Sequence, residues 1–217
     1  MAEAWLARRT LVLASGNAGK LRELGAMLRP LRWSVRPQSE WAMEEAVENG
    51  LSFIENALIK ARHAARLTGL PALGDDSGLV VDALDGGPGI YSSRFAGEGA
   101  DDASNNRKLL EALVGVGESR RGAHFYCTMA LLRHAGDPAP LVATGRWDGC
   151  ILEAPAGSEA AAGLLFVPGH RHEQCCYQRQ LEGNEKGRCH VDGDQLLLGT
   201  LGELVPRDVV APRDLVE

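Results

Sequence analysis

No apolar run in this chain approaches the roughly 20 residues that span a membrane. The opening Met1-Ala2-Glu3-Ala4-Trp5-Leu6-Ala7-Arg8-Arg9 lacks the signal-peptide order of charge, apolar stretch and cleavage site, so the protein is expected in the cytoplasm. A basic excess is also missing: 23 Lys and Arg stand against 29 Asp and Glu, a formal net charge of -6 at pH 7. General nucleic-acid binders neutralise phosphates with surplus cations, which sets that class aside and leaves open a small anionic ligand in a local basic pocket. The five cysteines, odd in number and with Cys175 and Cys176 adjacent, are not the spaced even set of a secreted disulfide scaffold. Reduced thiols are expected. His170, His172, Cys175, Cys176, Cys189 and His190 cluster in the last quarter, but their spacing matches no standard zinc finger or ribbon. Internal repeats, long linkers and low-complexity tracts are absent as well.

What is present suits a globular fold. At 217 residues and 45% hydrophobic content the chain can bury a substantial core as one domain, or as one sheet extended into two lobes. Thr10-Leu11-Val12-Leu13-Ala14 is a short branched apolar run that stops at Ser15-Gly16-Asn17-Ala18-Gly19-Lys20, after which Leu21, Leu24, Met27 and Leu28 recur at helical spacing. Strand, glycine-bearing turn and helix follow. Such a turn offers backbone N–H groups at a positive helix end, with a hydroxyl, an amide and an ammonium from Ser15, Asn17 and Lys20, the parts of a phosphate cradle. The spacing is not that of a Walker loop, and a plain turn with glycines at positive φ is the competing reading.

Trp33 to Val35 suggests a second strand, and an acidic connection with Glu44, Glu45 and Glu48 leads to Ser52-Phe53-Ile54-Glu55, a capping box. The helix it starts has an apolar stripe of Phe53, Ala57, Ala61, Ala64 and Ala65, while Asn56, Lys60 and His63 share another face. Gly69 and Pro71 end it. Asp75-Asp76-Ser77-Gly78 then reads as a tight acidic connection before a strand over residues 79–84. Two adjacent carboxylates repel, so they must be solvated, paired with basic residues or neutralised by a cation. Asp101 or Asp102 can cap a helix running to Leu113, and strand-like runs over residues 124–132, 141–147 and 150–152 suggest an antiparallel meander. An α/β fold with a mixed sheet flanked by helices is expected.

Four pieces in this order, Ser15-Gly16-Asn17-Ala18-Gly19-Lys20, Glu48-Asn49-Gly50-Leu51-Ser52-Phe53, Glu55-Asn56-Ala57 with Lys60-Ala61, and Asp75-Asp76-Ser77-Gly78-Leu79 followed by Gly87-Pro88-Gly89-Ile90-Tyr91-Ser92-Ser93-Arg94, resemble the Ham1/RdgB family of inosine triphosphate pyrophosphatases. The resemblance covers roughly residues 10–153. It implies hydrolysis of deaminated, non-standard purine nucleoside triphosphates (XTP, ITP, dITP) to monophosphate and pyrophosphate with Mg2+. The implied architecture is a single ITPase-like domain, an elongated mixed sheet in two lobes with a central substrate cleft, assembled as a homodimer. Ser15, Gly16, Asn17, Ala18, Gly19 and Lys20 would bind the triphosphate. Glu48 and Asp76 would hold the metal, Asp76 would also accept a proton, Lys60 and Ser77 would contact substrate, and Asp75 would join the polar cluster.

The chain departs from the family pattern late. Where relatives place a Gly-Phe-Gly-Tyr-Asp-Pro segment before Phe166-Val167-Pro168, this chain has Ser158-Glu159-Ala160-Ala161-Ala162-Gly163, without the aromatic and the aspartate that serve base recognition. Glu185-Lys186-Gly187-Arg188-Cys189-His190-Val191 echoes the family's Lys and Ser-His-Arg elements, which makes Lys186 and His190 candidates. Residues 158–217 are atypical for the family, and their order is left open. A reading-frame disturbance confined to that part and divergence towards another ligand are the two explanations. Two further functions stand beside the leading one: a Maf-like pyrophosphatase for other modified nucleotides, and a catalytically impaired nucleotide-binding or dimerising remnant.

Overall fold

A computed structural model describes residues 9–42, 44–156 and 164–168. In chain order the principal elements are β1 (Thr10–Ala14), α1 (Ala18–Leu28), β2 (Ser34–Pro37), α2 (Phe53–Thr68), β3 (Ala72–Val81), α3 (Asp102–Ala112), β4 (Gly122–Leu132), β5 (Leu141–Ala156) and β6 (Leu164–Pro168). The hydrogen-bonded strand order is β2-β1-β3-β4-β5-β6. β1 runs parallel to both β2 and β3, and β5 runs antiparallel to β6, so the sheet is mixed as expected. Among the described residues no helix is long and apolar enough to cross a membrane.

The described chain forms two compact units, and it passes from one to the other inside β3 (between Asp76 and Ser77), inside β4 (between Tyr126 and Cys127) and inside β5 (between Gly145 and Arg146). In the first unit, β1 sits between two parallel neighbours and is buried on both faces, which explains its unbroken apolar sequence. Leu11 and Leu13 point to one face and pack with Leu24 and Leu28 of α1, Leu73, Cys127 and Met129. Burying a leucine as completely as Leu24 contributes about 1.5–3 kcal/mol. Val12 and Ala14 point to the other face, where Ala64 and Ala65 of α2 and Ala72 meet them. The small side chains let α2 lie very close to β3: a Cβ added to Gly74 would stand 2.2 Å from the Ala57 carbonyl oxygen and 2.7 Å from the Ala61 nitrogen.

The helix starts and stops agree with the sequence signals. Ser52 caps α2 by accepting the Glu55 N–H, Gly69 closes it at φ 66, and Asp101 caps α3 through the Ser104 N–H. The acidic connection does not. Asp75-Asp76-Ser77-Gly78 lies within the ten-residue strand β3, and residues 82–84 of the expected strand form a short 3-10 turn. Turn formers carry only a local preference, which pairing between β1 and β4 and packing under α2 override. Likewise β5 runs unbroken through Asp148 and Gly149, where two strands are expected.

The second unit has its own core of Val81, Leu109, Leu113, Ala123, Ile151, Leu165 and Phe166. Phe166 meets Phe125 edge to face at 4.9 Å. The buried Arg121 guanidinium donates to the carbonyls of Leu113, Val116 and Leu152, each at 3.0 Å, which ties the end of α3 to β5.

Candidate active site

Of the described candidate residues all but Ser77 belong to the first unit, and strand geometry arranges them. Successive residues of a strand point to opposite faces, so Asp75 faces the side covered by α1 and Asp76 the side covered by α2. Each carboxylate meets the lysine of its own helix: Lys20 pairs with Asp75, and Lys60 Nζ lies 3.1 Å from Asp76 Oδ1. Both aspartates are buried. The expected repulsion between adjacent carboxylates is thus relieved by placing them on opposite faces with one ammonium each. Lys60 makes its ion pairs with Asp76 and Glu48.

At the start of α1, Asn17 is the N-cap. Its side-chain oxygen accepts the N–H groups of Gly19 at 2.8 Å and Lys20 at 3.1 Å, and Ser15 Oγ accepts the Asn17 N–H at 3.3 Å. Neither Gly16 nor Gly19 has a positive φ, which removes the conformational reason for glycine that the plain-turn reading supplied. A Cβ on Gly16 would meet nothing within 4 Å; that position is open space beside the turn. Ala18 opens the helix directly after the cap.

On α2, the face that carries Asn56, Lys60 and His63 holds the acidic connection. His63 Nε2 is hydrogen-bonded to the Glu44 carbonyl at 2.8 Å, and Lys60 reaches Glu48 Oε1 at 3.1 Å. Asn56 accepts the Gly50 N–H at 2.9 Å and donates from Nδ2 to Asp76 Oδ2 at 3.2 Å. Glu55 accepts the Leu51 N–H and the Ser52 hydroxyl, both at 2.8 Å. Asn56 is completely buried. Its site role was not assigned from sequence, although a polar side chain beside an alanine stripe is a signal for one. Ser77 is exposed and follows Asp76 along β3. Lys186 and His190, the stretch over residues 158–163 and the His/Cys cluster lie outside the described residues.

Electrostatics follow from burial and partners. Burial is the largest influence on Asp76 and lifts its pKa above the usual carboxylate value, against the opposing charge and hydrogen bond of Lys60 and the hydrogen bond from Asn56. For Lys60 burial pulls the other way, yet Asp76, Glu48 and Asp75 outweigh it and hold the ammonium above its ordinary pKa. Cys127, buried in the core beside this cluster, is pushed up to about 11 chiefly by burial, so its thiol stays neutral.

Among the described residues no three His, Cys, Asp or Glu side chains gather into a complete metal cage. Glu48 and Asp76 nevertheless present hard oxygen donors that converge on one cationic point, the Lys60 ammonium. Asp75 Oδ1 is buried with no hydrogen-bond partner. Magnesium is typically held by one or two carboxylates, with waters and substrate phosphates completing the shell, so this donor set fits that ion. Lys20 in the first turn of α1 and Lys60 midway along α2, each next to such carboxylates, suit a polyphosphate.

The sequence profile of the Ham1 family matches residues 11–187. The chain is 55% identical over 186 residues to the dITP/XTP pyrophosphatase of Idiomarina loihiensis, covering 83% of this chain and 91% of that one. With the dITP/XTP pyrophosphatase of Xylella fastidiosa the identity is 59% over 150 residues, 69% of this chain and 75% of that one. Among solved structures, a HAM1 protein from Coxiella burnetii superposes with a TM-score of 0.68 at 47% identity, over 72% of this chain and 80% of that chain. A nucleoside-triphosphatase/dITP/XTP pyrophosphatase from Mycobacterium abscessus gives 0.64 at 40% identity, over 75% and 86%.

Proposed function

The chain belongs to the Ham1 family, and from that premise we infer that it is a nucleoside triphosphate pyrophosphatase: it hydrolyses the deaminated purine triphosphates XTP, ITP and dITP to monophosphate and pyrophosphate. The observation that carries the site assignment is the pair of opposed ion pairs, Lys20 with Asp75 and Lys60 with Asp76 and Glu48. Two ammonium groups held beside carboxylates can exchange those partners for phosphate oxygens when a triphosphate arrives.

In this reading Ser15, Gly16, Asn17, Ala18, Gly19 and Lys20 receive the triphosphate at the start of α1, and the open space over Gly16 admits a phosphate close to the backbone. Lys60 and the exposed Ser77 contact the substrate, and Asp75 keeps Lys20 aimed. Asp76 takes the proton of the attacking water. Beside a bound cation it stays ionised and can accept that proton. The water oxygen bonds to the α-phosphorus, the bond from that phosphorus to the α,β-bridging oxygen breaks, and pyrophosphate leaves with the electron pair. Glu48 and Asp76 would hold Mg2+, which supplies neutralisation of phosphate charge. The homodimer rests on the family resemblance and light scattering measures it; the cytoplasmic setting rests on the sequence, which shows neither a membrane-length apolar run nor a signal-peptide pattern.

The test is pyrophosphate release from ITP, XTP, dITP and the standard triphosphates, with and without Mg2+. Magnesium-dependent turnover favouring the deaminated purines is expected. Folded protein that turns over none of them would establish the impaired remnant instead, and turnover confined to other modified nucleotides would establish the Maf-like activity.

A further inference from the structure

We propose that Asn56 is the positioning residue that holds Glu48 and Asp76 in register, with Gly50 as its counterpart on the acidic connection. The inference rests on the cation-site reading above and concerns a residue to which that reading gives no role. Asn56 is completely buried on a helix whose neighbouring buried positions are Ala57, Ala61, Ala64 and Ala65. A buried amide costs stability unless its polar atoms are bonded, so alanine would be the economical choice here for packing alone.

The two bonds of Asn56 go to separate segments. Its carbonyl oxygen accepts the Gly50 N–H at 2.9 Å, two residues from Glu48, and its amide nitrogen donates to Asp76 Oδ2 at 3.2 Å. The amide has one possible orientation, because the Gly50 N–H can only donate and an ionised carboxylate can only accept. Asp76 Oδ1 is left for Lys60, so the two oxygens of the carboxylate are fixed from two positions on α2. The far end of the link has no slack. A Cβ on Gly50 would stand 2.6 Å from Glu55 Cβ, 2.7 Å from Asn56 Oδ1 and 3.0 Å from the Asn56 nitrogen. The connection can press this closely on α2 only with glycine at that position. Glu55 secures the next residue through the Leu51 N–H. Distance and direction between the two cation-binding carboxylates are therefore set through one side chain.

The experiment measures Mn2+ binding to the free full-length protein by electron paramagnetic resonance, together with kcat and KM for ITP at saturating Mg2+. Asn56→Leu keeps the branching of the side chain and removes both bonds; Gly50→Ala attacks the link from the loop. Each is expected to weaken Mn2+ binding by about 10-fold or more, the usual effect of removing a group that orients a metal ligand. Each should lower kcat while KM for ITP stays within about 2-fold, and the double variant should be no worse than the weaker single one. Should Asn56→Leu fail to fold, as judged by its thermal transition, Gly50→Ala carries the same test. Undiminished Mn2+ affinity in a folded variant, or additive losses in the double, overturns the inference while Glu48→Gln still abolishes binding. If Glu48→Gln and Asp76→Asn both keep Mn2+ binding, or wild type shows none, the cation-site reading itself falls and the inference falls with it.

Discussion

Asp75 and Asp76 are one position apart in the chain and on opposite faces of the sheet, and that separation divides their tasks. Asp76→Asn is expected to reduce turnover by about 10²–10⁴-fold, the usual contribution of a positioned proton acceptor, while ITP binding measured by equilibrium dialysis survives; wild-type-like rates would refute the role. Asp75→Asn acts through Lys20 and should chiefly raise KM. Stability moves the other way at Asp76. Burial sets its folded pKa above the unfolded value near 3.9, so the ionised form destabilises the fold. That penalty grows as pH rises from the unfolded value through the folded one and is complete at neutral pH. At pH 7 the thermal midpoint of Asp76→Asn should lie at or above that of wild type. Residue types at this scale were readable in the sequence; pairings were not, because Lys20 and Asp75 are 55 positions apart and meet only when α1 lies over β3.

Among the elements, α2 was the most legible, since its capping box and terminal glycine are local signals that the tertiary contacts reinforce. The face with Asn56, Lys60 and His63 was visible as a periodicity, and the structure adds what it grips. β3 was the least legible, because Asp, Ser and Gly favour turns unless neighbouring strands recruit them. Its contact with α2 predicts the cost of a single methyl: Gly74→Ala sets Cβ against backbone atoms of the helix and should destabilise by about 1–3 kcal/mol or more, as overpacking does. The midpoint of urea unfolding measures this, and an unshifted midpoint would contradict the close approach. In the β4–β5 connection the buried Asp137 accepts from Arg133 Nε at 2.8 Å and from the N–H groups of Arg133 and Ala139. Hydrogen bonding from Arg133, first among the causes, holds its pKa well below the usual range. Its stabilisation is present above the unfolded carboxylate pKa and is lost as pH falls through the folded value. The stability gap between wild type and Asp137→Asn should thus be full at pH 7 and shrink below about pH 4.

For the molecule as a whole, a net charge of -6 makes a polyanionic substrate depend on local lysines, and these are the groups gathered around Glu48, Asp75 and Asp76. Base recognition is a separate matter, and the stretch over residues 158–163 has no aromatic and no aspartate, the side chains that the family resemblance implies there. The ratio of kcat/KM for ITP over ATP should fall short of the roughly 10⁴–10⁵ that a full set of base-reading hydrogen bonds achieves; a ratio at that level would show that other residues read the base. The sequence by itself determined the family and the starts and stops of the helices, because motifs, caps and periodicity are local and survive being read one residue after another. Tertiary structure alone decided that the acidic segment is a strand, that each aspartate has its own lysine, and that Asn56 joins the Glu48 connection to Asp76. Those outcomes depend on strand pairing and helix packing between residues distant in the chain, and no local propensity encodes them.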